Sequence, residues 1–139
     1  MRFMAIVKSS PESEAGAMPD KEILTKMAAY NDELVKNGIM LGGEGLLSSS
    51  KGVRIAYTGD KRTITDGPFA EAKELVAGFW LLQARSLDEA VEWLKRAPLE
   101  EGEVEIRQIA EDDDFGDEFT PELRERENRL REELSRKQP

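Results

Sequence analysis

Any acid–base or binding chemistry in this chain has to come from a short list of side chains, because histidine and cysteine are both absent. Imidazole bases, thiol nucleophiles, disulfides and the commonest zinc ligands are removed together, which leaves Asp, Glu, Lys or Tyr to move protons. Polar residues placed by turns are the ones able to converge: Glu44 between glycines, Arg54, and Asp66 at the head of Asp66-Gly67-Pro68. In that set Asp66 or Glu44 would act as base and Arg54 as a fixed cation toward an anionic ligand or oxyanion. Tyr57 and Trp80 would be apolar walls. Each residue also has a plainer reading. Asp66 would accept from its own downstream backbone, with Gly67 at positive φ and Pro68 locking the turn. Arg54 would sit in a cross-strand or intersubunit ion pair, and Tyr57 and Trp80 in a core or interface.

Metal and nucleotide sites find no support in the spacing. In the acidic run from Glu111 to Glu118, Asp114 fits the third position of an EF-hand loop counted from Asp112. Gly116 then fills the fifth position and Asp117 takes the glycine place. Gly42-Gly43-Glu44-Gly45 lacks the Lys and Ser/Thr of a phosphate loop and the glycine spacing of a dinucleotide turn. No cofactor and no metal are expected. The net charge of -9 over 139 residues repels phosphate backbones, so nucleic acid is excluded as a direct ligand. The longest apolar run, Leu75 to Leu82, is far short of the roughly 20 residues that cross a bilayer, and no signal-peptide core follows Met1. A soluble cytoplasmic protein without a membrane partner is the expectation.

The elements that must position these residues follow from hydrophobic period. Arg2 to Lys8 is apolar on both faces, a central strand. Residues 9–17 are small and polar and read as a loop. Pro19 or Asp20 opens a helix with Ile23, Met27, Tyr30 and Leu34 on one stripe, ended by Asn37-Gly38. A second strand starts at Ile39 and is interrupted by the glycines before Leu46, a signal for a bulge or close backbone approach. Val53 to Thr58 and Arg62 to Thr65 form a hairpin about Gly59-Asp60. Leu75 to Ala84 is another interior strand. Ser86 and Glu89 form a capping box for a helix burying Leu87, Ala90, Val91 and Leu94. Val104 to Ile109 is the last strand.

Strand, helix, strand, hairpin, strand, helix, strand is a ferredoxin-like α+β order with an inserted β-hairpin. Two helices cover one sheet face; strands apolar on both faces need a second cover, and a second copy of the same sheet supplies it. The expected assembly is an isologous homodimer, sheet on sheet. The α+β domain spans residues 1–110. Residues 111–139 form an acidic linker and a charged C-terminal helix, starting at Thr120-Pro121 and marked on one side only by Leu123, Leu130 and Leu134.

Thr65 to Glu74, with Gly43-Glu44-Gly45-Leu46, residues 49–54 and Gly78-Phe79-Trp80, resembles the DGPF-domain family of YCII-related proteins. The likeness covers residues 1–110 and extends into the tail through Glu105-Ile106-Arg107, Phe115-Gly116 and residues 120–123. It implies a dimeric α+β barrel, no established reaction, and for some members a functional link to extracytoplasmic-function sigma factors. The resemblance also implies a His and Asp pair at a cleft. Those positions fall here on Met27 and Ala97, and Leu47 stands where many DGPF relatives show a further His. Two functions from different classes follow: a homodimeric module binding a small ligand or a protein partner, or an enzyme on a small polar or aromatic substrate using Asp66 or Glu44. The substitutions favour the first.

Overall fold

Seven residues whose side chains alternate between two apolar faces, Arg2–Lys8, form β1 at the centre of the sheet. The computed structural model describes residues 1–137 as a mixed α+β chain. After β1 come α1 (Pro11–Glu14), α2 (Lys21–Lys36), β2 (Met40–Gly45), β3 (Val53–Thr58) and β4 (Lys61–Asp66). Then follow β5 (Val76–Gln83), α3 (Leu87–Leu94), β6 (Val104–Gln108) and α4 (Pro121–Lys137). One compact unit spans Met1–Gln108 and a second begins at Ile109. In the first unit, four antiparallel strands lie in the order β2-β5-β1-β6, and β3 pairs with β4 in a separate ribbon.

The polar segment after β1 is not only a loop. Ser10 accepts from the Ser13 amide at 3.1 Å while Ser13 accepts from the Ser10 amide at 2.9 Å, and this reciprocal cap supports the single turn of α1. Asp20 caps α2 by accepting from the Ile23 amide at 2.9 Å, and Gly38 closes the helix at φ 69°. The glycines of β2 do not interrupt the strand. It runs on to Gly45 with a register shift between Met40 and Gly42, so the irregularity is a bulge at Leu41. A side chain at Gly78 would bring its Cβ to 2.8 Å from the Glu44 carbonyl oxygen; β5 approaches β2 that closely only because the position is glycine.

Ser86 caps α3 by accepting from the Glu89 amide at 3.1 Å, but the return half of the expected capping box is missing. The Glu89 carboxylate takes Arg85 Nε at 2.6 Å instead, a charge-assisted bond that outcompetes a neutral backbone donor. The helix stripes are also shorter than their sequence period suggests. Ile23 and Leu87, the first member of each, are 45% and 49% exposed, while Tyr30, Leu34 and Ala90 in the later turns are buried. These three join Phe3, Ala5, Trp80 and Leu82 in the core, with Met27, Trp93 and Leu94 packed against them.

Register fixes what the other face carries. Met4 pairs with Leu81 and Ile6 with Phe79, all four half-buried and pointing away from the helices. On the β6 side their neighbours are Arg107 and Glu105; on the β2 side, Gly42 and Glu44. An apolar square therefore sits between two polar flanks. Among the described residues no helix is long and apolar enough to cross a membrane.

The second unit holds the acidic segment and α4. Thr120 accepts from the Leu123 amide at 3.3 Å, Arg124 reaches Asp113 at 3.0 Å, and Phe115 and Phe119 meet edge to face with centroids 5.4 Å apart. Leu123, Leu130 and Leu134 are exposed.

The Tyr30 hydroxyl donates to the Trp93 carbonyl at 2.7 Å and joins α2 to α3. Burial pushes its phenol up to about 12, with Glu33 adding to the rise and Arg96 opposing it. A pKa raised above the unfolded value of about 10 means that the fold prefers the neutral phenol. That contribution is complete below about pH 10 and is lost as pH rises toward 12. Urea unfolding of the wild type should show stability falling across this window, and Tyr30→Phe should flatten that fall.

Candidate functional site

The turn singled out by sequence is built around one steric fact. A Cβ on Gly67 would lie 1.7 Å from the Ser49 carbonyl oxygen and 2.6 Å from its carbon, so only glycine fits. Positive φ is not the reason: the positive-φ glycines do not include Gly67, and the non-glycine residue that takes that conformation is Glu71, at 63°. The Gly67–Pro68 peptide is cis, and the Gly67 amide donates to the Gly52 carbonyl at 2.9 Å.

Ser49 is the hub of this arrangement. Its amide donates to Glu14 Oε2 at 3.0 Å, its hydroxyl donates to Glu14 Oε1, and the hydroxyl oxygen accepts from the Phe69 amide at 2.9 Å. Three distant stretches are thus tied together: the end of α1, the short 3-10 turn at Ser49–Lys51 before the hairpin, and the Gly67-Pro68-Phe69 turn after it. Arg54 lies over the Phe69 ring at 3.9 Å from its centroid, which fastens the base of the ribbon.

The residues named from sequence are not gathered at one point. Asp66 pairs with Val53 and Arg54 with Thr65, so the pleat sends Asp66 and Arg54 to opposite sides of the ribbon. Tyr57 lies three rungs from Arg54, about 10 Å along the strand, where Arg62 stacks on its ring at 4.7 Å. Glu44 belongs to the four-stranded sheet, beside Phe79 on the face away from the helices. Trp80 is buried on the opposite face, its indole N–H donating to Asn31 Oδ1 at 2.9 Å and its ring meeting Tyr30 edge to face. Asp66 is exposed, and among the described residues its carboxylate accepts no hydrogen bond, so it does not serve as the turn's own acceptor.

A cleft of about 620 Å³ opens at the other end of the sheet, between the close of α2 and α3. Asn37, Ile39, Gln83, Arg85, Trp93 and Arg96 line it, with Arg96 stacked over Trp93 at 4.7 Å. None of the five sequence candidates reaches it. Sequence reading missed it because its walls come from helix ends and a strand end with no shared motif. Glu14 was missed for a similar reason, since its partner lies 35 residues away. Among the described residues no group of three or more carboxylates could hold a metal ion.

Residues 1–113 match the profile of the YCII-related domain. An uncharacterised protein of Rhizobium meliloti (strain 1021) is 29% identical over 94 residues, which cover 66% of this chain and 76% of the relative. Among solved structures the chain is similar to 5-chloro-2-hydroxyhydroquinone dehydrochlorinase from Burkholderia phenoliruptrix AC1100, in complex with 2,5-dihydroxybenzoquinone. That similarity has a TM-score of 0.46 and 17% identity, over 79% of this chain and 94% of the other.

Replacing Ser49 with alanine would strip the Phe69 amide and the Glu14 carboxylate of a partner at a half-buried site. Ser49→Ala should therefore lower the unfolding free energy by about 1–3 kcal/mol, measured by urea denaturation. Asp66→Ala, with no bond to lose, should change it by less than about 0.5 kcal/mol.

Proposed function

Because the chain belongs to the YCII-related family, we propose that it is a homodimeric binding module for a small molecule, without an acid–base pair of its own. What carries this reading is the pair of residues at the positions where the resemblance implies proton carriers. Met27 and Ala97 stand there, and both pack against the core. Neither can donate or accept a proton, and the chain has no histidine to take over.

The ligand's place in this reading is the cleft beside α3. Its volume suits a metabolite-sized molecule. Trp93 offers an apolar wall, the Asn37 and Gln83 amides offer hydrogen bonds, and Arg96 offers a cation over the ring. The dimer forms by packing the apolar square of Met4, Ile6, Phe79 and Leu81 on that of a second copy, giving a ferredoxin-like dimeric α+β barrel. Each of the four is half-buried in a single copy, and the second copy would complete their cover. Arg54, fixed on Phe69, is a second cationic contact point, on the hairpin.

A second reading, an enzyme acting on a small polar or aromatic substrate, has one observation in its favour. The exposed Asp66 carboxylate is unengaged among the described residues and so free to act as a base. If Asp66→Asn and Glu44→Gln both leave an activity intact, neither carboxylate is its base. Fold does not choose between the two readings, since the same architecture hosts many functions.

A thermal-shift screen across metabolite classes, read together with tryptophan fluorescence, tests the binding reading. A true ligand should raise Tm and perturb Trp93, and Arg96→Ala should weaken its binding by about tenfold, or about 1.4 kcal/mol. Failure of every metabolite class to bind, together with failure of every pull-down, would contradict it.

A further inference from the structure

If the cleft beside α3 holds the ligand, as the binding reading above has it, the charges on its wall decide what that ligand can be. The charged side chains there are Arg85, Glu89, Glu92 and Arg96. The first three are engaged: Arg85 Nε meets Glu89 Oε2 at 2.6 Å, and Glu92 Oε1 takes Lys95 Nζ at 2.9 Å. Arg96 has no ion-pair partner among the described residues, and its guanidinium donates no hydrogen bond among them. In a chain of net charge -9, an unpaired guanidinium on the wall of a concave site is the feature an anion would find.

How Arg96 is held matters as much as its charge. Its guanidinium carbon sits 4.7 Å from the centroid of the Trp93 ring. A stacked guanidinium spends its flat face on the ring and keeps its N–H donors in its own plane, where they match the two oxygens of a carboxylate. Trp93 is itself anchored, since its carbonyl accepts the Tyr30 hydroxyl at 2.7 Å. The wall is otherwise partly apolar, with Ile39 and Ala84 both buried. A flat apolar body fits against that indole and those aliphatic side chains.

The same wall limits the ligand to one negative charge. The cleft lies at the close of α2, where the last helical carbonyls carry partial negative charge. Asn37 Nδ2 donates to the Glu33 carbonyl at 2.8 Å, which leaves Oδ1 as a further acceptor. Glu89 and Glu92 add acceptors of their own. A phosphate dianion would meet these groups with nothing beyond Arg96 to balance its second charge. A carboxylate carries the single charge that one guanidinium neutralises.

We propose that the cleft binds an aromatic monocarboxylate, with its carboxylate in the fork of Arg96 and its ring against Trp93, Ile39 and Ala84. Met27 and Ala97 are not part of this wall. Recognition of the carboxylate therefore does not depend on the residues at the implied proton-carrying positions.

Four probes titrated into the full-length protein at neutral pH, followed by NMR of the indole N–H resonances, test the assignment. Benzoate has the ring and the single charge, benzamide the ring without charge, acetate the charge without a ring, and phenyl phosphate the ring with close to two charges. Benzoate should shift the Trp93 indole resonance and bind about tenfold or more tighter than each of the other three. Arg96→Gln, with circular dichroism confirming the fold, should bring the ratio of benzoate to benzamide affinity down to about one. Benzamide, acetate or phenyl phosphate binding as tightly as benzoate would overturn the assignment and leave the binding reading standing. So would a benzoate preference that survives Arg96→Gln. A Trp93 resonance that moves with none of the four would also overturn it, and the wider metabolite screen would then decide the binding reading by itself.

Discussion

Everything at the hairpin end of this molecule depends on how closely the Gly67 backbone passes the Ser49 carbonyl. There is no room for a methyl group between them. Because the two stretches of backbone touch, the Ser49 hydroxyl can accept from the Phe69 amide and donate a hydrogen bond to Glu14. The base of the hairpin is thereby tied to the domain, and Arg54 has a ring to rest on. A two-stranded ribbon is marginal by itself in water. This one is exposed on both sides along β3 and β4, so its order comes from its base and from the cross-strand ladder. The sequence motif that looks most like an active site is, physically, a clasp.

How far the sequence could be read depended on the range of the interaction. Local signals were reliable: Asp20 caps α2, Ser86 caps α3, Gly38 closes a helix, and the hairpin turns at Gly59-Asp60. The central strands, apolar on both faces, took their places at the middle of the sheet because only two-sided burial suits them. Competition was harder to foresee. Glu89 had two partners within reach and chose the guanidinium; the bulge that the glycines of β2 signalled is present, at Leu41. The candidate site was least legible. Asp66 and Arg54 are adjacent in the ladder yet divided by the pleat, and Trp80 was already committed to Asn31 and Tyr30. Glu14 and the cleft beside α3 depend on contacts between distant stretches, which no window of sequence contains.

The two faces of the sheet divide the labour. One, under α2 and α3, is a closed core in which Tyr30, Leu34, Trp80 and Leu82 leave no buried side-chain polar atom without a partner among the described residues. The other carries an apolar centre of Met4, Ile6, Phe79 and Leu81, flanked by Glu105 and Arg107 on the β6 side and by Glu44 on the β2 side. Met27 and Ala97 pack against that core from the helical side.

Amide hydrogen exchange resolved at single residues tests the clasp most directly. The account predicts that the amides of Ser49, Gly67 and Phe69, each donating to a fixed acceptor, exchange slowly. Neighbouring amides of the exposed segment around Ala70 and Glu71 should exchange much faster. Exchange of the Ser49, Gly67 and Phe69 amides at the rate of those neighbours would contradict it, because the hairpin would then have no fixed base.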